Sequence, residues 1–290
     1  MSKTKTKLTA AIAMLVISAI MMTTASYAWF TISTNPEIKN LSTTVVTNET
    51  LEIALSDASH TAVAASTTGD SGNPYTWGNL VDMNDSDVTG WSSFAKTVRP
   101  AKLNATDASK INYPKYGDDG RITSLDGVLT TGNAGKGFGN LVDGNGNIYG
   151  YYVDYWLRSN VGGQVEIQTT GVDRGAGTDG AGSYVEGTKD ELADALCVGF
   201  QVKGTGNITL ATKTAVTGNS LKYTLSGNVV NLTANQETWV RMYVFIDGDK
   251  ITNKSASIDG TSVTGTINVQ FKITAVDNAM SAKTEAAVTA

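Results

Sequence analysis

Residues 266–275 decide the fold, and they read Thr266-Ile267-Asn268-Val269-Gln270-Phe271-Lys272-Ile273-Thr274-Ala275. Every second residue from Ile267 onward is apolar, and the residues between them are polar or charged. Because successive side chains of a β-strand point to opposite faces, this period of two predicts a strand. We expect its apolar face to lie on a core and its polar face to lie in water, as in antiparallel sheets.

Similar short strands follow one another along much of the chain. They are predicted on either side of a turn at Asn48-Glu49 within 37–56, and over 149–157, 164–169, 197–202, 207–211, 221–225, 229–232 and 238–246. Thr188 and Glu191 have the spacing of a capping box, which predicts a short helix directly before the strand at 197–202. Many short strands and few helices predict an all-β fold, a two-sheet antiparallel β-sandwich.

The strands at 149–157 and 164–169 are separated by a turn that contains Gly162-Gly163. Short glycine-containing connections are typical of β-hairpins, so we expect these two strands to pair with each other. Along the first of them, the alternation places Tyr152, Asp154 and Trp156 on one face.

Residues 57–147 differ from the rest of the chain. They contain Pro74, Pro100 and Pro114, are rich in Asp, Asn, Gly and Ser, and have only short apolar pieces. A structureless loop of this length is uncommon in a compact domain. We therefore predict a long, partly ordered insertion with short helices or hairpins, packed by aromatic side chains such as Trp77, Trp91 and Phe94.

The first 28 residues have the layout of a secretory signal peptide. Three lysines precede an uncharged run at 8–22, which is short for a bilayer span of roughly 20 residues. Ser26 and Ala28 occupy the −3 and −1 positions of a cleavage site before Trp29. We expect residues 1–28 to be removed, residues 29–290 to form the β-sandwich domain, and the protein to contact a membrane only through the signal peptide.

Composition excludes several classes of function. The formal net charge is −5 and no basic cluster could hold phosphate, which argues against binding to nucleic acid. Cys197 is the one cysteine, so the chain has no internal disulfide, and its apolar neighbours predict a buried small hydrophobe. His60 is the one histidine and no H-E-x-x-H motif occurs, so we expect no zinc site, no catalytic residues and no enzymatic activity.

Asp143, Asn145 and Asn147 place oxygen donors at alternate positions, with Asp154 at the twelfth position, in the manner of an EF-hand loop. Ile148, however, stands where such a loop needs glycine, and no flanking helices are predicted. A hairpin turn explains the segment better. Calcium bound by these three residues is the alternative, and no other cofactor is expected.

The segment Ala28-Trp29-Phe30-Thr31 resembles the N-termini of the TasA/camelysin family of secreted Firmicute proteins. Residues 156–160, 196–200 and 239–248 also resemble strands of that family, although this chain has Phe245-Ile246-Asp247-Gly248-Asp249 where relatives often carry Trp-x-Glu-Gly-x-Asp. The resemblance implies a jelly-roll-like sandwich, cleavage by a signal peptidase of the SipW type, and assembly into biofilm fibres. Camelysins have been described as metalloendopeptidases, but this chain has no residues onto which that activity could be carried.

We therefore expect a secreted structural protein that self-associates into extracellular fibres or a cell-surface matrix. We expect a donor strand, a segment that pairs with a sheet edge of the next subunit, to mediate this assembly. It consists of Trp29, Phe30, Thr31, Ile32 and Ser33. This segment is apolar and β-prone, so it would be poorly solvated as a free tail but could add to the open sheet edge of a neighbouring subunit.

The alternative is a monomeric cell-surface adhesin or carbohydrate-binding β-sandwich. Its site would lie among Tyr75, Trp77 and Trp91 of the insertion, because exposed aromatic rings can stack against sugars. The same aromatic residues could equally form the insertion's own core.

Overall fold

The computed structural model describes eleven stretches of the chain. They are residues 37–45, 51–56, 75–78, 80–82, 98–116, 122–135, 137–169, 182–188, 190–202, 205–250 and 264–274. Most of these residues lie in β-strands, which confirms the predicted all-β class. The signal peptide, the donor-strand segment 29–33, His60 and Trp91 lie outside the described residues.

The elements are numbered in chain order. The strands are β1 (Glu37–Val45), β2 (Leu51–Leu55), β3 (Leu80–Asp82), β4 (Lys102–Leu103), β5 (Ile111–Tyr116), β6 (Ile122–Val128), β7 (Thr130–Gly135), β8 (Phe138–Val142), β9 (Ile148–Ser159), β10 (Gly163–Ile167), β11 (Tyr184–Gly187), β12 (Leu196–Val202), β13 (Thr205–Leu210), β14 (Thr212–Val216), β15 (Asn219–Ser226), β16 (Asn228–Leu232), β17 (Glu237–Ile246) and β18 (Thr264–Thr274). The predicted short helix is present as α1 (Asp190–Ala195), and it runs directly into β12.

The first sheet has the order β14-β15-β11-β18-β1-β3. Two further strands belong to it: β10 pairs with β18 and with β16. Strand β18 is long enough to pair with two short strands along one edge, β11 through its first half and β10 through its second half. The strands β15 and β16 follow the same line and are separated by Gly227, whose φ is 135°.

The second sheet has the order β13-β12-β17-β9-β8-β7. Here the long strand is β9, which shares one edge between β2 and β8. Between these two short strands, the Ser56 amide donates to the Asp154 carbonyl at 2.8 Å, and the Asp154 amide donates to the Gly137 carbonyl at 2.6 Å. Strands β2 and β8 thus lie end to end along one edge of β9, and residues 57–136 are an insertion between them.

Gly137 closes this insertion. Its φ is 77°, and a Cβ at this position would overlap the backbone carbonyl of Ser56. Only glycine fits a left-handed conformation with such a close approach of backbone. Of the predicted insertion at 57–147, β7 and β8 are strands of the second sheet.

The chain passes between the two sheets in the manner of a jelly roll, as expected. It runs from β9 in the second sheet to β10 in the first, back to β12 and β13, and then through β15, β17 and β18 with a change of sheet at each step. One pair departs from the predicted antiparallel arrangement, because β1 runs parallel to β18 over residues 37–45.

The predicted hairpin between 149–157 and 164–169 is wrong. Strands β9 and β10 lie in different sheets, because β17 on one edge and β2 with β8 on the other already occupy both sides of β9. Gly162 and Gly163, with φ of 68° and 135°, turn the chain across the core instead of back along the same sheet. Leu157 and Val165 consequently face each other's sheet in the interior.

The core between the sheets is apolar and closely packed. Ile267, Val269 and Phe271 of β18 are fully buried, and the Phe271 ring meets that of Phe200 edge to face at 5.6 Å. The opposite face of β18 was predicted to lie in water, and this is wrong for the middle of the strand, although Thr274 at its end is exposed. Asn268 and Gln270 are 2% and 3% exposed, and the Asn268 side chain donates to the Gly182 carbonyl.

A small third sheet, β4-β5-β6, covers part of the outer face of the second sheet. Ile111 and Tyr113 of β5 pack there with Tyr149, whose ring centre is 5.0 Å from that of Tyr113. The middle of the second sheet is thus buried on both faces. This explains why β9 is buried almost continuously even though an alternating pattern was predicted.

The turn at 104–110 attaches the third sheet to β13. The Asp107 carboxylate accepts hydrogen bonds from the Ser109 amide and hydroxyl, and it pairs with the Lys110 ammonium at 2.7 Å. The carbonyl of Ala108, inside this turn, accepts from the Ile208 amide of β13.

This turn should weaken in strong acid. The Lys110 hydrogen bond, and after it those from Ser109, lower the pKa of Asp107 from 3.8 to about 2. Because the pKa is lowered on folding, the stabilisation is complete above pH about 4 and is lost as the pH falls through about 2. We expect an NMR titration of the Ser109 amide to show a midpoint near 2. In Lys110→Met the midpoint should move up toward the ordinary aspartate value, and an unchanged midpoint would contradict the assignment to Lys110.

Ser183 lies between β10 and β11, which pair with successive halves of β18, and it bridges the gap between these two strands. Its buried hydroxyl accepts from the Gln270 amide at 2.8 Å and donates to the Gln270 carbonyl at 3.1 Å. The side chain therefore replaces a strand neighbour for the Gln270 amide, while the Gln270 carbonyl also accepts from the Gln168 amide at 2.7 Å.

Ser183→Ala should lower the free energy of unfolding by about 1–3 kcal/mol, because it leaves the buried Gln270 amide without this partner. Urea denaturation measures the loss. Ser220→Ala, an exposed serine of β15, is the matched control and should change stability by less than about 0.5 kcal/mol. Equal effects of the two substitutions would mean that the Ser183 hydroxyl has no special role.

Candidate functional site

Charged and aromatic side chains gather on the outer face of the second sheet. The interior residues of β9 and β17 belong to the main core, so their alternate residues face outward. Cross-strand pairing sets Tyr243 opposite Tyr152, Arg241 opposite Asp154, and Trp239 opposite Trp156. The first of these pairs lies under the third sheet, and the other two continue the row beyond it.

Asp154 and Arg241 form a bidentate ion pair at the centre of this face. The Arg241 Nε lies 2.6 Å from Asp154 Oδ1, and Nη2 lies 2.8 Å from Oδ2. Asp154 is fully buried, while 18% of the Arg241 side chain is exposed. Burial disfavours the charge on Arg241, but the hydrogen bonds and charge of Asp154 outweigh it and raise the pKa of the guanidinium. The Arg241 guanidinium therefore keeps its charge in this partly buried position.

Tyrosine rings enclose the ion pair on one side. The Arg241 guanidinium lies 4.1 Å from the centre of the Tyr152 ring, which is a cation–π contact. Opposite Tyr152 stands Gly139, where a Cβ would come within 2.6 Å of the Tyr152 hydroxyl oxygen. The Tyr243 hydroxyl donates to Gln201 Oε1 at 2.7 Å, and burial raises the pKa of both Tyr152 and Tyr243. These phenols are therefore neutral at ordinary pH.

Trp156 and Trp239 lie next to the ion pair and are half-buried. Their ring centres are 5.8 Å apart, and the ring planes are inclined by 31°. The indole Nε1 of Trp156 is shielded from solvent and has no hydrogen-bond partner among the described residues. We refer to Trp156 and Trp239 as the tryptophan pair.

A second arginine lies on the far side of the tryptophan pair. The Arg158 Nε is 2.5 Å from Glu52 Oε2 of β2, and 29% of the Arg158 side chain is exposed. The Arg158 guanidinium also lies 4.3 Å from the centre of the Trp77 ring. The tryptophan pair is thus flanked by two arginines, each paired with a carboxylate.

The aromatic residues that sequence analysis singled out in the insertion have other roles. Trp77 is only 2% exposed and packs against Arg158, and Tyr75 packs against the main core. Neither ring is an open stacking surface. The alternation of 149–157 did place Asp154 and Trp156 on one face, but only the register between β9 and β17 identifies their partners Arg241 and Trp239.

The residues considered for calcium, Asp143, Asn145 and Asn147, lie in a tight turn between β8 and β9. The Asp143 carboxylate accepts from the amides of Asn145 and Asn147 and from the Asn147 side chain, at 2.7–2.9 Å. These donors occupy the lone pairs that a cation would need. Asp154, at the twelfth position, is bound to Arg241 instead. In the described part of the chain, no three acidic, cysteine or histidine side chains are grouped to hold a metal ion.

Cys197 is buried, as predicted, and is 8% exposed on the outer face of β12. Burial raises the pKa of its thiol to about 11, so it is a protonated, apolar side chain at neutral pH. No helix within the described residues is long and apolar enough to cross a membrane.

No family model, no curated protein and no solved structure matches the chain.

The two ion pairs of this face should differ sharply in their effect on stability. Asp154→Asn keeps the size of the side chain but leaves Arg241 charged and without its buried partner, which should cost about 3–5 kcal/mol. The matched change Glu52→Gln affects an ion pair that is open to water and should cost less than about 1 kcal/mol. Urea denaturation of both variants tests the difference, and losses of similar size would show that burial does not set the strength of these pairs.

Proposed function

We propose that the protein is a secreted structural protein whose subunits assemble into extracellular fibres or a surface matrix by strand addition. In this proposal, a SipW-type signal peptidase cleaves after Ala28, and the new N-terminal segment Trp29–Ser33 becomes the donor strand. The acceptor is a sheet edge of the next subunit. Head-to-tail addition of this kind does not close on itself, so it gives a filament.

The observation that carries the proposal is the edge of the first sheet beside β1. Along one side, β1 pairs with β18 from Glu37 to Val45. Along its other side, the described residues pair with it only at 42–44, through the three-residue strand β3. The backbone groups of residues 37–41 on that side are thus available to another strand among the parts of the chain described, and this edge lies directly after the donor segment.

The opposite edge of the same sheet is less suited to strand addition. There β14 turns Lys213 toward the sandwich interior, opposite the buried Leu225. The Lys213 ammonium donates to the carbonyls of Asp194 and Leu196 at the end of α1. An inward-pointing charge is one device by which edge strands avoid pairing with other chains. The β1 side is therefore the acceptor edge that we favour.

The expected energetics favour a donor segment with three apolar side chains. Burying a Trp, Phe or Ile side chain stabilises a contact by roughly 1.5–3 kcal/mol each. Trp29, Phe30 and Ile32 together thus contribute several kcal/mol, whereas association at micromolar concentration needs only about 8 kcal/mol in all.

A chain that begins at Pro36 should fold but should not form filaments. The deleted residues precede every described strand, so the sandwich keeps its core, while the subunit loses its donor strand. Trp29→Asp in the 29–290 chain should behave in the same way, because it places a charge in an apolar groove. Sedimentation and negative-stain microscopy compare both with the chain 29–290, whose N-terminus is first verified by sequencing of the exported protein.

Ser33→Ala is the matched control and should polymerise normally, because it keeps the three apolar side chains. Filaments of the same form from the truncated chain would contradict the donor-strand mechanism. The assembly surface would then have to lie on the sandwich or on the insertion.

The second candidate function is that of a carbohydrate-binding surface protein. The tryptophan pair favours it, although of the residues first considered for such a site Trp77 is buried and Tyr75 is half-buried against the main core.

A further inference from the structure

The tryptophan pair and its two arginines have no part in the proposed assembly. They lie on the outer face of the second sheet, whereas the proposed acceptor edge belongs to the first sheet. Two half-buried indoles side by side present an apolar surface whose negative ring faces attract the weakly positive C–H groups of a ligand.

Both arginines of this surface are compensated. Asp154 compensates Arg241, and Glu52 compensates Arg158, each through a direct hydrogen bond. Glu237, which lies opposite Arg158 on β17, adds an exposed carboxylate. Neither arginine is a free cation, so an acidic ligand would gain little from the site and would be repelled by the three carboxylates. The electrostatics therefore disfavour an anionic ligand, and the tryptophan pair offers a neutral ligand an apolar surface.

The same arginines retain hydrogen-bonding capacity. A guanidinium has five N–H donors, and Asp154 uses two of those on Arg241. Among the described residues, Glu52 takes only the Nε–H of Arg158. The two arginines lie on opposite sides of the tryptophan pair, so donors are available on both sides. Their partners hold them in place, so little conformational freedom is lost when a ligand binds.

We propose that the tryptophan pair is a binding site for a neutral polysaccharide. Hexose rings would lie against Trp156 and Trp239 through their C–H faces. Hydroxyl groups at the ring edges would accept hydrogen bonds from Arg158 and Arg241. Pyranose rings combine an apolar face with a polar rim, which is the distribution that this surface complements.

The test is a fluorescence titration of the chain 29–290 with three uncharged hexasaccharides, those of β-1,4-glucose, β-1,3-glucose and β-1,4-N-acetylglucosamine. An oligoguluronate of the same length serves as the charged probe. At least one neutral sugar should give a saturable change in tryptophan emission. Trp239→Leu should weaken binding about tenfold or more, which corresponds to about 1.4 kcal/mol. Tyr184→Leu removes a half-buried ring from the first sheet, so it is the matched control and should bind normally.

Three results would overturn the proposal. They are no saturable change with any neutral sugar up to about 10 mM, binding of the oligoguluronate alone, and unchanged binding by Trp239→Leu. If Trp239→Leu does not fold, sugar protection against oxidation by N-bromosuccinimide, located by peptide mass spectrometry, decides the question. Bound sugar should protect Trp156 and Trp239, and protection of other tryptophans alone would again overturn the proposal. None of these measurements depends on filament formation, so this site and the assembly mechanism can fail independently.

Discussion

Each sheet is organised around one long strand whose backbone groups must all find partners. Strand β9 has 12 residues and β18 has 11, and each is longer than the short strands along one of its edges. Buried N–H and C=O groups without partners are costly, so the gap between two short strands has to be closed. At β9 it is closed by the backbones of Ser56 and Gly137, and at β18 by the Ser183 hydroxyl.

This constraint explains where the chain can leave the sandwich. Residues 57–136 depart from and return to the edge of β9, and the excursion between β10 and β11 does the same at β18. In both places the ladder continues across the junction, so the sheet does not lose its register. The first excursion supplies the third sheet, which covers the part of β9 and β17 that carries Tyr152 and Tyr243. The tryptophan pair lies farther along the same face.

Much of the sandwich could be predicted from hydrophobic periodicity alone. The strands β12, β15, β17 and β18 were predicted within a few residues of their ends, because each has apolar residues on at least one face. The sheet to which a strand belongs could not be predicted in this way. Strands β9 and β10 are adjacent in sequence and joined by a glycine turn, yet they lie in opposite sheets because the long-range partners of β9 take both of its edges.

The strands of the insertion were missed for a different reason. Two of their glycines occur where another strand's tyrosine needs space, Gly127 beneath the Tyr113 ring and Gly139 beneath the Tyr152 ring. Glycine weakens the local strand signal, while the cross-strand ring restores packing only after the partner has arrived. The exposure of Asn268 and Gln270 could not be predicted either. Their polar side chains indicate a solvent-exposed face, but the folded chain buries both of them.

The Asp154–Arg241 pair links the register of the second sheet to the surface that carries the tryptophan pair. Burying Asp154 without Arg241 would be too costly, so the pair strongly disfavours any other register between β9 and β17. A shift by one residue would turn the whole outer row inward and separate the tryptophan pair. The interaction that specifies strand register is thus also the one that brings Trp156 beside Trp239 and compensates the charge of the neighbouring Arg241. In this fold, the residues that hold the second sheet in register and the residues that would contact a ligand belong to one continuous row.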